Sequence, residues 1–572
     1  TRKNGNLLIL EKDENKPILL ISCPKDTADP LSINYLSKAI CDAQAVKNEY
    51  GFTPFIATIS SSVSAIFTPI ENMCKKTLSL DDYSTIISHY RFTIIPTTQS
   101  EFEKLLDEIT KGEAEKKKKD IQSYLVVYLR DYVLKTIIDY LEDHKSLFTQ
   151  PEVLSRLNDE AKKLGYENGI STDKEAKGSL YLDNLLRMMA YVLVDKIIFY
   201  KILENYYNLK RLLPLYKNGV VKNNQEYLAK LNELFEEAEY KSGNFDVIFN
   251  TGIYDLIQLG NDSEIAQVLD SLIELLESQD LDQFTKIVGY IYEDLIPPEE
   301  RHKLGQFYTP PPIVELITKW AVRSADYKVL DAGSGSGTFI SEAYDRLFYL
   351  KTGKEIDIVN GIIPTHSEHS SILGKLYAVD INPFAAHLTA MRLSLKSPKY
   401  PAKDMNIVIG DFFKIKPAQS VLLPHKTVGG KEEYRSVIFS NFDAIIGNPP
   451  YTRWNDLSEE ERRTIRDEIG KELNEYNLMP KRREGLPLYV HWIVHAERFL
   501  KDHGKLGMII SNMWLQADYG KDFGKYLLDH FKIKALIDVS QKIFDAIITT
   551  VILLAEKESN ETNRMNNKVL IA

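Results

Sequence analysis

Hydrophobic residues follow three different spacings along the chain. Between residue 1 and about residue 100, short apolar runs at 7–10, 18–22 and 55–59 are separated by polar turns, with a helix-like stretch at 31–50. Short apolar runs bounded by turn residues are typical of strands. Residues 1–100 are therefore predicted to form a small α/β unit.

In the next part of the chain, apolar residues lie three and four positions apart, at 121–141, 180–213 and 227–240. This period is typical of amphipathic helices. Residues 101–295 are therefore predicted to form a helical connecting domain, and none of them is assigned to chemistry. The turn Ile296-Pro297-Pro298 ends this pattern.

From residue 296 to residue 572, apolar strands alternate with helical stretches, which is typical of a doubly wound, Rossmann-like α/β sheet. Strands are predicted within 328–340 and at 375–380, 405–409 and 442–447. The carboxyl ends of parallel strands meet at one edge of such a sheet, where ligands bind. A catalytic site is expected at this edge.

The composition narrows the class of protein. Hydrophobic residues make up 44% and charged residues 27% of the chain, as in globular rather than disordered proteins. A net charge of −10 gives no general attraction for nucleic acid, so DNA would have to bind a local basic surface. The three cysteines have no CxxC spacing and are expected to be packed thiols. With no apolar run of membrane-spanning length, a cytoplasmic protein without membrane contact is expected.

A glycine loop follows the first of the predicted strands. Gly333, Gly335 and Gly337 come directly after Asp331 and lead into a helix. Glycines there allow a ligand to approach the backbone at the start of the helix. The loop lacks the lysine of a nucleoside-triphosphate loop, so another kind of ligand is favoured.

The other three strands end in polar residues. Asp380 ends the second strand, where an open α/β sheet places the carboxylate that accepts two ribose hydroxyls. Asp411 and Phe412 follow the third strand, and Asn448-Pro449-Pro450-Tyr451 follows the fourth. With each of these residue types near 5% of ordinary usage, this tetrapeptide arises by chance in roughly one chain in several hundred of this length.

In this order the motifs resemble the gamma class of amino-group DNA methyltransferases, in which a segment like Gly305-Gln306-Phe307-Tyr308-Thr309-Pro310-Pro311 precedes the glycine loop. The resemblance covers about residues 295–560. It looks closest to the methyltransferase part of type I and type IIG restriction-modification enzymes, the Eco57I-like family. It implies a site-specific DNA adenine N6-methyltransferase that uses S-adenosylmethionine, in a restriction-modification or phage-defence system.

The resemblance also implies the role of each residue. Asn448, Pro449, Pro450 and Tyr451 would be catalytic, and Tyr451 and Phe544 would stack on the two faces of a flipped-out adenine. The cofactor-binding residues would be Tyr308, Thr309, Asp331, Gly333, Gly335, Gly337, Asp380, Ile381, Asp411 and Phe412. Double-stranded DNA is the expected partner. A specificity subunit, or a C-terminal target-recognition region that is absent or truncated here, is expected to choose the DNA site.

Elementary chemistry supports adenine as the methyl acceptor. Its exocyclic amine is a poor nucleophile because the lone pair is delocalised into the ring, so catalysis has to make the nitrogen more tetrahedral. The side-chain oxygen of Asn448 and the carbonyl of Pro449 can accept the two amine hydrogens. No metal is expected. His491 and His495 have half of a zinc-motif spacing, but Trp492 stands where the motif needs glutamate, so a packed helix is predicted.

The N-terminal α/β unit resembles the PD-(D/E)XK nuclease-like domain that precedes many such methyltransferases. Asn6, Ser22 and Pro24 stand where that domain has its two metal-binding carboxylates and its lysine. Without the carboxylates a magnesium site is not expected to form. The unit is therefore predicted to be nuclease-like but inactive.

Three alternatives remain open at this point. The first is a bifunctional type IIG restriction endonuclease-methyltransferase, which requires an intact nuclease site in the N-terminal unit. Methyltransferases that act on amino groups of RNA or protein also use an Asn-Pro-Pro-Tyr motif. A non-catalytic DNA-binding or phage-defence scaffold would retain the same fold.

Overall fold

The structure, a computed structural model, describes residues 128–277 and 309–572, apart from gaps at 175, 177, 243–244, 358–360, 401, 403–404, 427–431, 480–485 and 540–548. Before residue 128 it describes the strands and the helix given below, mostly without side chains.

The strands are β1 Arg2–Lys3, β2 Asn6–Leu10, β3 Pro17–Ser22, β4 Phe55–Ile59, β5 Val63–Phe67, β6 Thr93–Pro96, β7 Ile170–Ser171, β8 Leu180–Tyr181, β9 Val329–Asp331, β10 Leu376–Asp380, β11 Asn406–Ile409, β12 Ser420–Lys426, β13 Glu432–Ile438, β14 Phe442–Gly447, β15 Leu500–Ser511, β16 Phe531–Val539, β17 Thr550–Lys557 and β18 Leu570–Ile571.

The α-helices are α1 Ile33–Tyr50, α2 Lys135–Asp143, α3 Pro151–Lys163, α4 Leu182–Leu203, α5 Asn224–Ser242, α6 Asp246–Phe249, α7 Glu264–Glu277, α8 Pro311–Ala321, α9 Thr338–Thr352, α10 His366–Leu373, α11 Pro383–Leu395, α12 Glu459–Glu475, α13 Leu488–Glu497, α14 Tyr519–His530 and α15 Glu561–Met565. A π-helical stretch, Leu129–Leu134, precedes α2.

The N-terminal strands form one sheet in the order β1-β2-β3-β4-β5-β6. Only β3 and β4 are parallel within it, and α1 connects them in the sequence. Asn6 begins β2 and Ser22 ends β3. Pro24 lies outside the described residues. The nuclease-like but inactive unit therefore stays a prediction.

The chain divides into two compact units. The first comprises residues 1–147, 211–231 and 258–296, and the second comprises 148–210, 232–257 and 297–572. Residues 101–295 are thus shared between the two units. The division into three domains at 100 and 295 stays a prediction.

The helical part of the first unit contains a buried carboxylate. Asp270 in α7 is 4% exposed. It accepts hydrogen bonds from the backbone amides of Leu215 (2.7 Å) and Lys217 (2.6 Å) and from the Tyr227 hydroxyl (2.8 Å). Because a buried carboxylate needs several donors, this arrangement fixes the turn before α5 onto α7.

The second unit contains an eight-stranded sheet in the order β11-β10-β9-β14-β15-β17-β16-β18. The strands from β11 to β15 are parallel, and β17 runs antiparallel between β15 and β16. The chain runs from β9 outward to β11 and then returns to β14 on the other side of β9. The predicted Rossmann-like α/β fold is confirmed, with its switch point between β9 and β14.

Helices cover this sheet because their apolar residues are buried against it. In α8, Ile313, Val314 and Ile317 are buried. Every residue of α11 is buried, and this helix packs against β10, β11 and α9 as well as α4 and α6. Every residue of α13 is buried as well. Burial of a Leu or Ile side chain is worth about 1.5–3 kcal/mol, so α11 and α13 contribute strongly to this unit.

The prediction for the cysteines was wrong in one respect. Cys41 in α1 is disulfide-bonded rather than a free thiol. Cys23 and Cys74, the other two cysteines, lie outside the described residues. Spacing along the chain does not reveal which thiols a fold brings within bonding distance.

Among the residues that the structure describes, no helix has both the length and the apolar character needed to cross a bilayer.

Candidate active site

The carboxyl ends of four parallel strands lie side by side in the second unit. Asp380 of β10 is the neighbour of Ile409 in β11. On the other side of the switch point, Ile445 of β14 is the neighbour of Leu330 in β9. The motifs that follow these strands therefore leave the sheet at one edge, as predicted from the sequence.

The glycine loop packs closely against α11. Gly337 has a positive φ of 79°, and a Cβ at this position would lie 2.8 Å from the Thr389 hydroxyl and 2.9 Å from the Thr389 Cα. Only glycine fits both the conformation and the space. The loop is thus held against α11 at the N-terminus of α9.

The Asp380 carboxylate is fixed by two backbone amides. Its Oδ2 accepts from Gly335 at 2.8 Å, and its Oδ1 accepts from Asn382 at 2.9 Å. A carboxylate has about four acceptor positions, so each oxygen can accept one further hydrogen bond. The next residue, Ile381, is 56% exposed despite its apolar side chain. A paired acceptor next to an apolar face suits a ribose with its attached base.

Asp331 is a second carboxylate at this edge, and it is 1% exposed. Burial, followed by the charge of Asp380, raises its pKa from 3.8 to about 8, and the Gly333 amide opposes this only in part. Burial also raises the pKa of Asp380, to about 6. A pKa near 8 favours the protonated form of Asp331 at neutral pH.

The raised pKa of Asp331 predicts how the free energy of unfolding depends on pH. Between about pH 4 and about pH 8 the unfolded state is ionised at this position while the folded state holds a proton, so the free energy of unfolding falls as pH rises. We expect Asp331→Asn to remove this penalty. The variant should gain more stability over the original chain at about pH 8 than at about pH 5, measured by urea unfolding at both pH values. An identical difference at both would contradict the assignment.

The Asp411-Phe412 turn is fixed by a histidine of α13. Asp411 caps the turn by accepting from the Phe413 amide at 2.9 Å, and burial raises its pKa. The Nε2 of His495 lies 3.1 Å from the carbonyl oxygens of both Phe412 and Ile415, so it must carry the hydrogen. Burial lowers the pKa of His495 to about 4, so it is a neutral donor.

The Phe412 side chain is packed in the core. It is 1% exposed, and its ring lies 4.7 Å from the His495 ring, 5.0 Å from the Trp492 ring and 5.2 Å from the Phe499 ring. A ring contact between Phe412 and the cofactor stays a prediction. His495 fixes the backbone of this turn, a role that its sequence position does not reveal.

Asn448 lies at the end of β14, next to Asp331. A Cβ on Gly447 would be 2.8 Å from Asp331 Oδ1, so the two loops are in direct contact. The Nδ2 of Asn448 donates to the Thr309 hydroxyl at 3.2 Å. Its Oδ1 is buried and has no hydrogen-bond partner in the described part of the chain. The hydrogen bond to Thr309 thus orients the Asn448 side chain and leaves Oδ1 available as a hydrogen-bond acceptor.

Tyr451 is anchored to the neighbouring strand. Its hydroxyl donates to the Ile509 carbonyl in β15 at 3.3 Å, and burial raises its pKa well above 10. The ring is therefore fixed next to the Asn448 loop. Pro449 and Pro450 lie between the two residues. Tyr308 and Phe544 lie outside the described residues, so their roles stay predictions.

Comparison with known proteins finds similarity to restriction-modification methyltransferases. Residues 374–544 match the Eco57I restriction-modification methylase family. The chain is similar to the type II methyltransferase M.BstVI of Geobacillus stearothermophilus, with 26% identity over 41% of this chain and 38% of that protein. It is 24% identical to the type II restriction enzyme and methyltransferase RM.Eco57I of Escherichia coli, over 65% of this chain and 40% of that one.

Among solved structures, the type I restriction-modification methyltransferase subunit of Streptococcus thermophilus aligns with a TM-score of 0.41 and 18% identity, over 78% of this chain and 81% of that one. The chain spans about 40% of the length of the two curated relatives named above. The family match includes Asp380, Asp411 and the Asn448-to-Tyr451 motif. The comparisons therefore show that residues 374–544 are similar to the Eco57I restriction-modification methylase family.

Proposed function

We propose that this protein is a DNA adenine N6-methyltransferase of a restriction-modification system. The observation that carries the proposal is the Asn448 side chain, whose Oδ1 is buried and unpartnered while its Nδ2 donates to Thr309. A buried acceptor without a donor costs free energy, so such a group is typical of a binding site. An amine of the substrate supplies the missing donor.

The residues at the sheet edge fit S-adenosylmethionine. Asp380 has two remaining acceptor positions for the ribose hydroxyls, and Ile381 offers an exposed apolar side chain beside them. The Asp411 carboxylate would accept from the amine of the cofactor's adenine. The glycine loop and the neutral Asp331 would border the methionine part. When bound, the cofactor supplies an electrophilic methyl group.

The catalytic contribution of the chain is to orient the target amine. Asn448 Oδ1 accepts one hydrogen of adenine N6 and the Pro449 carbonyl accepts the other. These two bonds favour the tetrahedral nitrogen that develops as the lone pair is released from the ring. Thr309 fixes the Asn448 amide so that its oxygen is not free to rotate away. We expect this reaction to need no metal.

Access to the amine requires that the adenine leave the duplex, because its N6 is paired there. Tyr451, held by its hydroxyl to Ile509, would stack on one face of the flipped base. Phe544 is proposed for the opposite face. By the resemblance to restriction-modification methyltransferases, a recognition region or a partner subunit would choose the DNA site. Action on cellular DNA implies a cytoplasmic location.

A labelling experiment with alternative acceptors tests this proposal. S-adenosylmethionine with a tritiated methyl group is incubated with the chain and with unmethylated DNA, with RNA, or with a release-factor-like protein. We expect label in the DNA and none in RNA or protein, at a low level unless the recognition region or partner subunit is also present. Label in RNA or protein would contradict the DNA assignment and favour the corresponding alternative.

We further propose that the N-terminal α/β unit does not cleave DNA, because Asn6 and Ser22 stand where two metal-binding carboxylates are needed. Supercoiled plasmid incubated with the protein, magnesium and S-adenosylmethionine should stay supercoiled on an agarose gel. Linear or nicked plasmid that depends on magnesium would revive the bifunctional alternative.

A further inference from the structure

The turn between β10 and α11 carries the Asp380 carboxylate, and Asn382 controls its shape. The Asn382 amide donates to Asp380 Oδ1 at 2.9 Å. The Asn382 side chain caps α11, because its Oδ1 accepts from the Phe384 amide at 2.9 Å. One residue thus joins the carboxylate to the start of the helix. A shift of Asn382 would move the carboxylate with it.

A tyrosine far away in the sequence contacts this turn. Tyr254 lies in the short 3-10 helix Gly252–Leu256, and its hydroxyl donates to Asn382 Oδ1 at 3.2 Å. Tyr254 is 4% exposed, and its ring meets the Phe384 ring edge-on at 6.3 Å. Burial, with the charge of Asp380 as a further contribution, raises the pKa of Tyr254 well above 10. The hydroxyl is therefore a permanent donor.

The segment that carries Tyr254 is itself fixed to α4. The Asp255 carboxylate accepts from the amide and the hydroxyl of Thr251, each at 2.7 Å. The buried Lys196 of α4 pairs with Asp255 and donates to the Phe249 carbonyl at 2.8 Å. Tyr254 therefore projects from a braced turn rather than from a free loop.

Helix α4 also packs directly on α11. Tyr191 of α4 lies 6.1 Å, ring to ring, from Phe384 at the start of α11. One turn further along, Asp195 and His387 face each other at 3.7 Å, and both are fully buried. These residues all belong to the second compact unit. The helical segment and the cofactor-binding turn therefore share one packed core.

We propose that Tyr254 is a positioning residue for the cofactor site. Through Asn382 it holds the Asp380 carboxylate in the orientation that accepts the ribose hydroxyls, so residues 232–257 of the second unit contribute to cofactor affinity. This inference rests on the proposed function. Its physical basis is pre-organisation: a carboxylate that is already fixed loses less freedom when the ligand binds. In this role Tyr254 acts through Asn382 and not by direct contact with the cofactor.

The test compares cofactor binding by the full chain with that of two tyrosine variants. Tyr254→Phe removes the hydroxyl that reaches Asn382 and keeps the ring. Tyr200→Phe is the matched control, since Tyr200 is also buried in this unit and its hydroxyl donates to the Lys210 carbonyl at 2.6 Å. One neutral hydrogen bond is worth about a 2–10-fold change in an equilibrium constant.

By calorimetry with S-adenosylmethionine, Tyr254→Phe should raise Kd about 2–10-fold and Tyr200→Phe should leave it unchanged. In the methyl-transfer assay, Tyr254→Phe should raise KM for the cofactor in the same proportion and leave kcat unchanged. A general loss of folding would instead lower kcat or the binding stoichiometry, which calorimetry measures separately.

A double-mutant cycle shows whether Tyr254 acts through Asn382. Asn382→Ser keeps a helix-capping side chain but withdraws the acceptor from Tyr254. Adding Tyr254→Phe to Asn382→Ser should weaken binding no further. Unchanged affinity in Tyr254→Phe, or losses that add in the double variant, would overturn the inference. Absence of cofactor binding by the original chain would overturn the proposed function as well, so the two failures are distinguishable.

Discussion

Replacing Asn448 with alanine is expected to lower kcat for methyl transfer by about 10²–10³-fold, the loss typical of one pre-organised hydrogen-bond partner in a transition state. The reason is that Asn448 Oδ1 is the buried acceptor left without a donor. Its bond to the amine strengthens as the nitrogen becomes tetrahedral, so the effect falls on kcat. Single-turnover methylation at saturating cofactor measures it.

A matched variant separates chemistry from folding. Asn406 is another buried asparagine of this sheet, and its amide donates to the Leu376 carbonyl at 3.0 Å, away from the predicted site. Asn406→Ala should lower the melting temperature and leave kcat unchanged. Cofactor affinity should stay the same in Asn448→Ala. Near-normal kcat in Asn448→Ala would show that the amine is activated by another group.

The change Asp380→Asn is expected to raise the Kd for S-adenosylmethionine by about 10–100-fold, the equivalent of one hydrogen bond to a charged group. Both carboxylate oxygens accept a backbone amide and have one position left. Asparagine at this position offers only one acceptor oxygen. Its NH2 group, a donor, would face one of the two backbone N–H groups, which are donors as well. Calorimetry without DNA measures this effect independently of catalysis.

Asp443→Asn is the control for that experiment. Asp443, the second residue of β14, accepts from the Lys328 amide at 2.8 Å and pairs with Lys501 at the amino ends of the strands. Loss of the Asp443 carboxylate should reduce the free energy of unfolding without changing cofactor affinity. Equal affinities for Asp380→Asn and the original chain would show that the ribose is bound elsewhere.

Much of the sheet and of the candidate site could be predicted from local sequence. β10, β11 and β14 are nearly uninterrupted apolar runs, and each ends in a polar motif. That combination reveals both the strand and its carboxyl end. A parallel arrangement then requires that the ends meet at one edge, which the pairing of Asp380 with Ile409 confirms. The Asn-Pro-Pro-Tyr motif indicated the family because its position after a strand is so specific.

Contacts between distant residues could not be predicted in this way. Thr309 and Asn448 are 139 positions apart, and Tyr254 and Asn382 are 128 apart. Hydrophobic periodicity reports which face of an element is buried and not which partner it meets. Helix ends were uncertain for a similar reason. The apolar pattern at 180–213 continues beyond Leu203, where α4 ends before the turn-favouring Asn205.

Electrostatic effects also depended on the fold. Asp331 precedes a glycine loop in the sequence, and nothing in that local pattern indicates a protonated carboxyl. Its pKa rises because the sheet buries it and brings Asp380 close. The pairing of His495 with two carbonyls of the Asp411-Phe412 turn is likewise a product of packing between α13 and that turn.

Identification of the methylated nucleoside tests the central claim most directly. Unmethylated genomic DNA is incubated with the protein and S-adenosylmethionine carrying a tritiated methyl group, digested to nucleosides and separated by chromatography. We predict label that coelutes with N6-methyldeoxyadenosine and that is lost with Asn448→Ala. Label in a methylated cytosine, or label in adenine that persists in Asn448→Ala, would contradict the account.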